Sequence, residues 1–117
     1  MGISGSGGGR QGRRRNGWTS QGNLERHFNR HGRNPRDRFS FPNSDTYHQG
    51  AWNVINNANT ITGTRPDIDD AIGHFNPRND RLVITNERNQ KITFHRLTGG
   101  RRRFDNEFPV QERKEEA

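Results

Sequence analysis

Two histidines stand four residues apart in a field of positive charge, in the stretch ERHFNRHGRNPR at residues 25–36. From Arg26 to Arg36 there is no acidic residue. Histidine is the side chain whose charge changes near neutral pH, so His27 and His31 raise three chemistries: a metal site, a grip on nucleic acid, or acid–base work on a phosphate. Two histidines at this spacing on a helix can share a metal. No third ligand is evident, because Glu25 falls on another side of the helix, and Arg26, Arg30 and Arg33 would repel a divalent ion. Phosphate is the more natural counter-charge. A ribonuclease can work without metal by using the RNA 2′-hydroxyl as nucleophile. It then needs a base for that proton, an acid for the leaving 5′-oxygen, and cations or donors for the charge that builds on phosphorus. Histidine suits both proton roles, and the planar fork of arginine suits the phosphate. The candidate catalytic residues are His27, His31, Thr93 and His95, with the Thr64 hydroxyl as a further donor. Arg26, Arg30, Arg33, Arg65 and Arg96 are the candidate phosphate ligands. The set needs no metal and no cofactor. The plainer alternative packs one histidine of the pair against Phe28, leaves the other solvated, and makes His95 a surface residue. His48 and His74 are read as structural.

These side chains must be positioned by a small framework. Around the pair, TSQGNLERHFNRHG predicts a short helix, with Thr19 or Ser20 as cap and Gly32 closing it in a left-handed conformation. Leu24, Phe28 and His31 share its inner stripe. A prolyl loop with Phe39 and Phe41 follows. NSDTYHQGAWNVINNA predicts a second helix capped by Ser44, with Asp45 in its first turn. After Asn59 the period changes to two, and TITGTR, AIGHFNP, RLVITNE and QKITFHRL read as four strands joined by short turns. The expected fold is α+β: two N-terminal helices packed on one face of a four-stranded antiparallel meander. The opposite face is expected to offer Thr93, His95, Thr85 and His74.

Composition bounds the rest. The chain has 117 residues, 24% of them hydrophobic, and a formal net charge of +7. That length allows one small domain, and that charge favours an anionic partner, nucleic acid first. Absence of cysteine excludes disulfides, thiolate metal ligands and thiol nucleophiles. No apolar run is long enough to span a membrane, and the N-terminus has no apolar core of a signal peptide. GSGGGR lacks the Lys-Ser/Thr ending of a phosphate loop, and no Ser-His-Asp order with a nucleophile elbow is present. Residues 1–17 read as a flexible Gly/Arg-rich tail or linker, 18–100 as the domain, and 101–117 as a charged tail partly docked through Phe104 and Phe108, fraying after about residue 110.

The order of motifs, LERHFNRHG, an aromatic loop, YHQGAWNVINN, and a meander ending LVITNERNQKITFHRL, resembles a family of bacterial polymorphic-toxin domains. These are metal-independent ribonucleases of the broad barnase, EndoU, colicin and RelE-like superfamily. The match lies at Arg26, His27, Phe28, His31 and Gly32, then at Val83, Ile92, Thr93 and Phe94, within residues 20–97. Arg30 stands where the family often has lysine, Gln90 where a turn glycine is common, and Arg96 follows His95 where an aromatic or lysine is frequent. The resemblance implies a toxin that cleaves RNA, often tRNA, in interbacterial competition. It implies delivery as part of a larger secreted protein, action in the target-cell cytoplasm, and an acidic cognate immunity protein as partner. Two other functions stay open: a non-catalytic nucleic-acid-binding module with Trp18 and the loop phenylalanines as stacking platforms, and a structural protein of a phage or ribonucleoprotein particle.

Overall fold

A computed structural model describes residues 17–65 and 71–112. The expected N-terminal tail, apart from Gly17, and the last five residues lie outside the described residues. Helix α1 (Gln21–His27) begins where the Ser20 side chain accepts a hydrogen bond from the Asn23 amide. It does not stop at a left-handed Gly32. The chain instead runs on through a π turn, Phe28–Gly32, and the glycines with positive φ are Gly99 and Gly100. Gly32 is required for space: a Cβ there would lie 2.2 Å from Phe28 Cδ1. A 3-10 turn, Pro35–Asp37, is capped by Asn34 and ends on Arg38 in the left-handed region. Helix α2 (Ser44–Asn56) is capped one residue earlier than expected, by Asn43, in a reciprocal capping box with Thr46.

The four expected strands are present: β1 (Ile61–Thr64), β2 (Ile72–Asn76), β3 (Arg81–Thr85) and β4 (Lys91–Arg96). The charged segment after them is not a tail. It forms helix α3 (Gly100–Glu107) and strand β5 (Val110–Glu112), which pairs antiparallel with β1. Among the described residues the sheet therefore has five strands, in the order β4-β3-β2-β1-β5, and one of the three helices follows β4 in the chain. Among the described residues no helix is long and apolar enough to cross a membrane.

Both faces of the sheet are covered. In one layer Trp18, Leu24, Phe28, Phe39, Tyr47, Ala51 and Val54 pack on Val83 and Phe94. In the other, Phe104 and Phe108 of the α3 segment pack on Phe75, Leu82 and Leu97. Phe104 stacks between Phe75 and Phe108, at 5.0 Å to each ring centroid. Burying each phenylalanine contributes about 2–3 kcal/mol, enough to order a helix whose exposed arginines add little. The expectation of one apolar face and one polar face fails for this reason: β3 buries Leu82 and Val83 on opposite sides.

Strand β4 lies at an edge, yet its outer backbone groups are occupied. Lys91 exchanges hydrogen bonds with Gly17 and Thr19. Asn23 Nδ2 donates to the Ile92 carbonyl at 3.0 Å, the Tyr47 hydroxyl donates to that of Phe94, and the Arg96 amide donates to Asp37 Oδ1 at 3.0 Å. Side chains from α1, α2 and the 3-10 turn thus seal the edge that would otherwise recruit another strand. They also fix β4 against the helices that carry the histidine pair.

Candidate active site

His27 closes α1, His31 sits in the π turn, and both rings stack face to face with centroids 5.9 Å apart and planes 18° from parallel. On β4 the side chains of Thr93 and His95 alternate away from Phe94. The His95 ring centroid lies 5.2 Å from that of His31, so three imidazoles form one row. The structure brings together all four residues proposed from the sequence for proton transfer.

Each ring is anchored through the same atom. His27 Nδ1 meets the Thr93 hydroxyl at 3.2 Å. His31 Nδ1 meets Asp37 Oδ2 at 2.9 Å, and His95 Nδ1 meets the Arg96 carbonyl at 3.0 Å. The Nε2 atom of each ring is thereby the one presented to a ligand. Asp37 is the residue that sequence reasoning missed. It lies one position beyond the acid-free stretch, and its signal was Asn34-Pro35, which caps a tight turn and returns residue 37 toward the helix. Glu25 is engaged elsewhere, accepting from Gln21 at 2.7 Å and from Ser44 at 3.2 Å. Among the described residues no group of three or more acidic or histidine side chains is arranged to hold a metal ion.

Burial and like charge disfavour the charged form of two of the rings. The His27 imidazole is pulled down to about 4, by desolvation first, then by His31, Arg26, Arg30 and His95. His95 is also lowered, chiefly by burial. The carbonyl of Arg96 and the Asp37 carboxylate work against that shift, and His31 and Arg103 work with it. The neighbouring arginines lower these histidines too, but as a smaller influence than burial.

The expected phosphate ligands divide. Arg26 and Arg30 are exposed beside His27. Arg33 lies over the Phe28 ring, 5.0 Å from its centroid. Arg65 lies over Phe108 at 5.6 Å, beyond β1 and three strands from β4, so it is not gathered with the histidines. Arg96 contributes its backbone, while its guanidinium approaches Asp80 at 3.8 Å. Arg103, in the segment expected as a charged tail, stands near enough to His95 to lower its pKa and is braced by Glu107 at 2.7 Å.

Other expectations are corrected by the register. His74 pairs with Val83, which pairs with Phe94, so His74 faces away from His95. Its Nε2 meets the Thr85 hydroxyl at 2.9 Å, and Thr85 is buried on that same opposite face. Thr64 approaches the Val110 carbonyl at 3.5 Å, on the far side of the sheet from β4. His48 is structural, accepting at Nδ1 from the buried Trp18 indole at 3.1 Å. Trp18 and Phe39 are themselves core residues, 0% and 4% exposed, and cannot serve as stacking platforms. Compared with known proteins, the chain matches no family model and no curated protein.

Proposed function

We propose that the protein is a metal-independent RNA endonuclease, using the substrate's 2′-hydroxyl as nucleophile. One observation carries the reading: three histidines in a row, each anchored through Nδ1, beside the exposed arginines Arg26 and Arg30. A row of imidazoles with an adjacent cationic rim suits proton transfer around a phosphodiester. The resemblance in residues 20–97 supports tRNA as the substrate, a toxin's role, and an acidic immunity protein as partner.

The chain should cut total RNA or tRNA at discrete positions in the presence of EDTA, leaving 2′,3′-cyclic phosphate ends. The paired replacement of His27 and His31 by alanine should reduce the cutting about 10²–10⁴-fold. Intact RNA, or cutting indifferent to that double replacement, would refute the proposal. A second reading, binding without turnover, is favoured by Trp52, which is 49% exposed and lies over Lys91. It requires that affinity fall with salt and with Trp52→Ala, and that the histidines be dispensable.

A further inference from the structure

The Arg96 backbone joins two of the three histidines. Its carbonyl accepts from His95 Nδ1 at 3.0 Å, and its amide donates at 3.0 Å to the Asp37 carboxylate, whose other oxygen holds His31 Nδ1 at 2.9 Å. A carbonyl oxygen can only accept, so the neutral His95 ring must carry its hydrogen on Nδ1 and expose a bare Nε2. A carboxylate also only accepts, so His31 likewise keeps Nδ1–H. The carboxylate that holds it is itself nearly buried, Asp37 being 8% exposed. The partners differ in one respect. A neutral carbonyl holds His95, whereas a carboxylate holds His31 directly.

Resting on the ribonuclease reading, we infer that this chain of contacts assigns opposite proton roles: His95 is the general base, His31 the general acid, and Asp37 the residue that positions His31. In the step, the 2′-O–H bond breaks and its proton goes to His95 Nε2. The 2′-oxygen bonds to phosphorus as the bond from phosphorus to the 5′-oxygen breaks, and the leaving oxygen takes the Nε2 proton of His31. The products are a 2′,3′-cyclic phosphate and a free 5′-hydroxyl, with no external oxidant or reductant. The two rings finish with their protonation states exchanged. His27, held by Thr93, remains a neutral third imidazole beside them.

Single-turnover cleavage of two substrates separates the roles. One is an oligoribonucleotide with the ordinary 5′-oxygen. The other carries sulfur at that bridging position, and its thiolate departs without protonation. On the oxygen substrate, His31→Ala and His95→Ala should each lose about 10²–10⁴-fold, and Asp37→Asn about tenfold or more. On the sulfur substrate, His31→Ala and Asp37→Asn should recover to within about threefold of the unmodified protein, while His95→Ala should not. Recovery of His95→Ala in place of His31→Ala overturns the assignment, as does recovery of neither. Full activity of Asp37→Asn on the oxygen substrate removes Asp37 from the mechanism. No cleavage of either substrate by the unmodified chain refutes the ribonuclease reading itself, and the assignment with it.

Discussion

His27 shows how one side chain ties the site to stability. Its folded imidazole is lowered from 6.5 to about 4. Between those values the unfolded chain holds a proton that the folded protein refuses, so stability rises with pH there. The stability is fully present above pH 6.5 and is lost as pH falls toward about 4. The lowered His95 acts in the same direction. Thermal melts from pH 7 down to pH 4 should show a falling Tm, and His27→Gln should flatten that fall by removing the titrating group. An unchanged slope in the variant would mean that His27 is not held neutral. The histidines themselves were legible in the sequence, because spacing on a helix and alternation on a strand fix which side chains can meet. Asp37 was not, because its part depends on a tight turn that neither period describes. Arg65 and Arg96 were misjudged because a sequence does not say how far apart two strands lie, or whether a residue acts by side chain or backbone.

At the scale of elements, the π turn matters most to the site. It is made possible by Gly32, whose missing Cβ leaves room for the Phe28 ring. Alanine there meets the ring at 2.2 Å from Cδ1. Gly32→Ala should therefore destabilise the fold by about 1–3 kcal/mol through overpacking, measured by urea titration. It should also lower RNA cleavage beyond the loss of folded protein, since His31 lies in the turn that must shift. The helices and strands up to residue 97 were readable because their apolar residues repeat at 3.6 or 2. The last helix and strand were hidden by charge: in RRRFDNEFPV only two aromatic residues, four apart, mark an inner face. That spacing predicts docking, and the docking is what turns a charged run into an element.

Across the whole molecule, the +7 charge is a long-range feature, and Arg26 and Arg30 place part of it beside His27. On the proposed reading, the affinity of a catalytically silent variant for RNA should fall linearly with the logarithm of salt. Replacing Arg26 or Arg30 by glutamine should reduce that slope by about 1 each. A slope unaffected by either change would place the phosphate path elsewhere, along α3 for instance. Composition alone predicted the anionic partner, but not where the charge would be needed. The α3 arginines are partly matched by carboxylates, Arg101 by Asp105 and Arg103 by Glu107.

The hydrogen bond between His27 and Thr93 closes a sequence gap of 66 residues. Gly17 and Trp18 at one end reach Lys91 at the other. No short fragment holds the whole of the candidate site, because its two halves lie near opposite ends of the described chain. On the proposed reading, an unfolded polypeptide is inert toward RNA until that loop has closed. The topology acts as a safety catch, built from contact order rather than from an inhibitor.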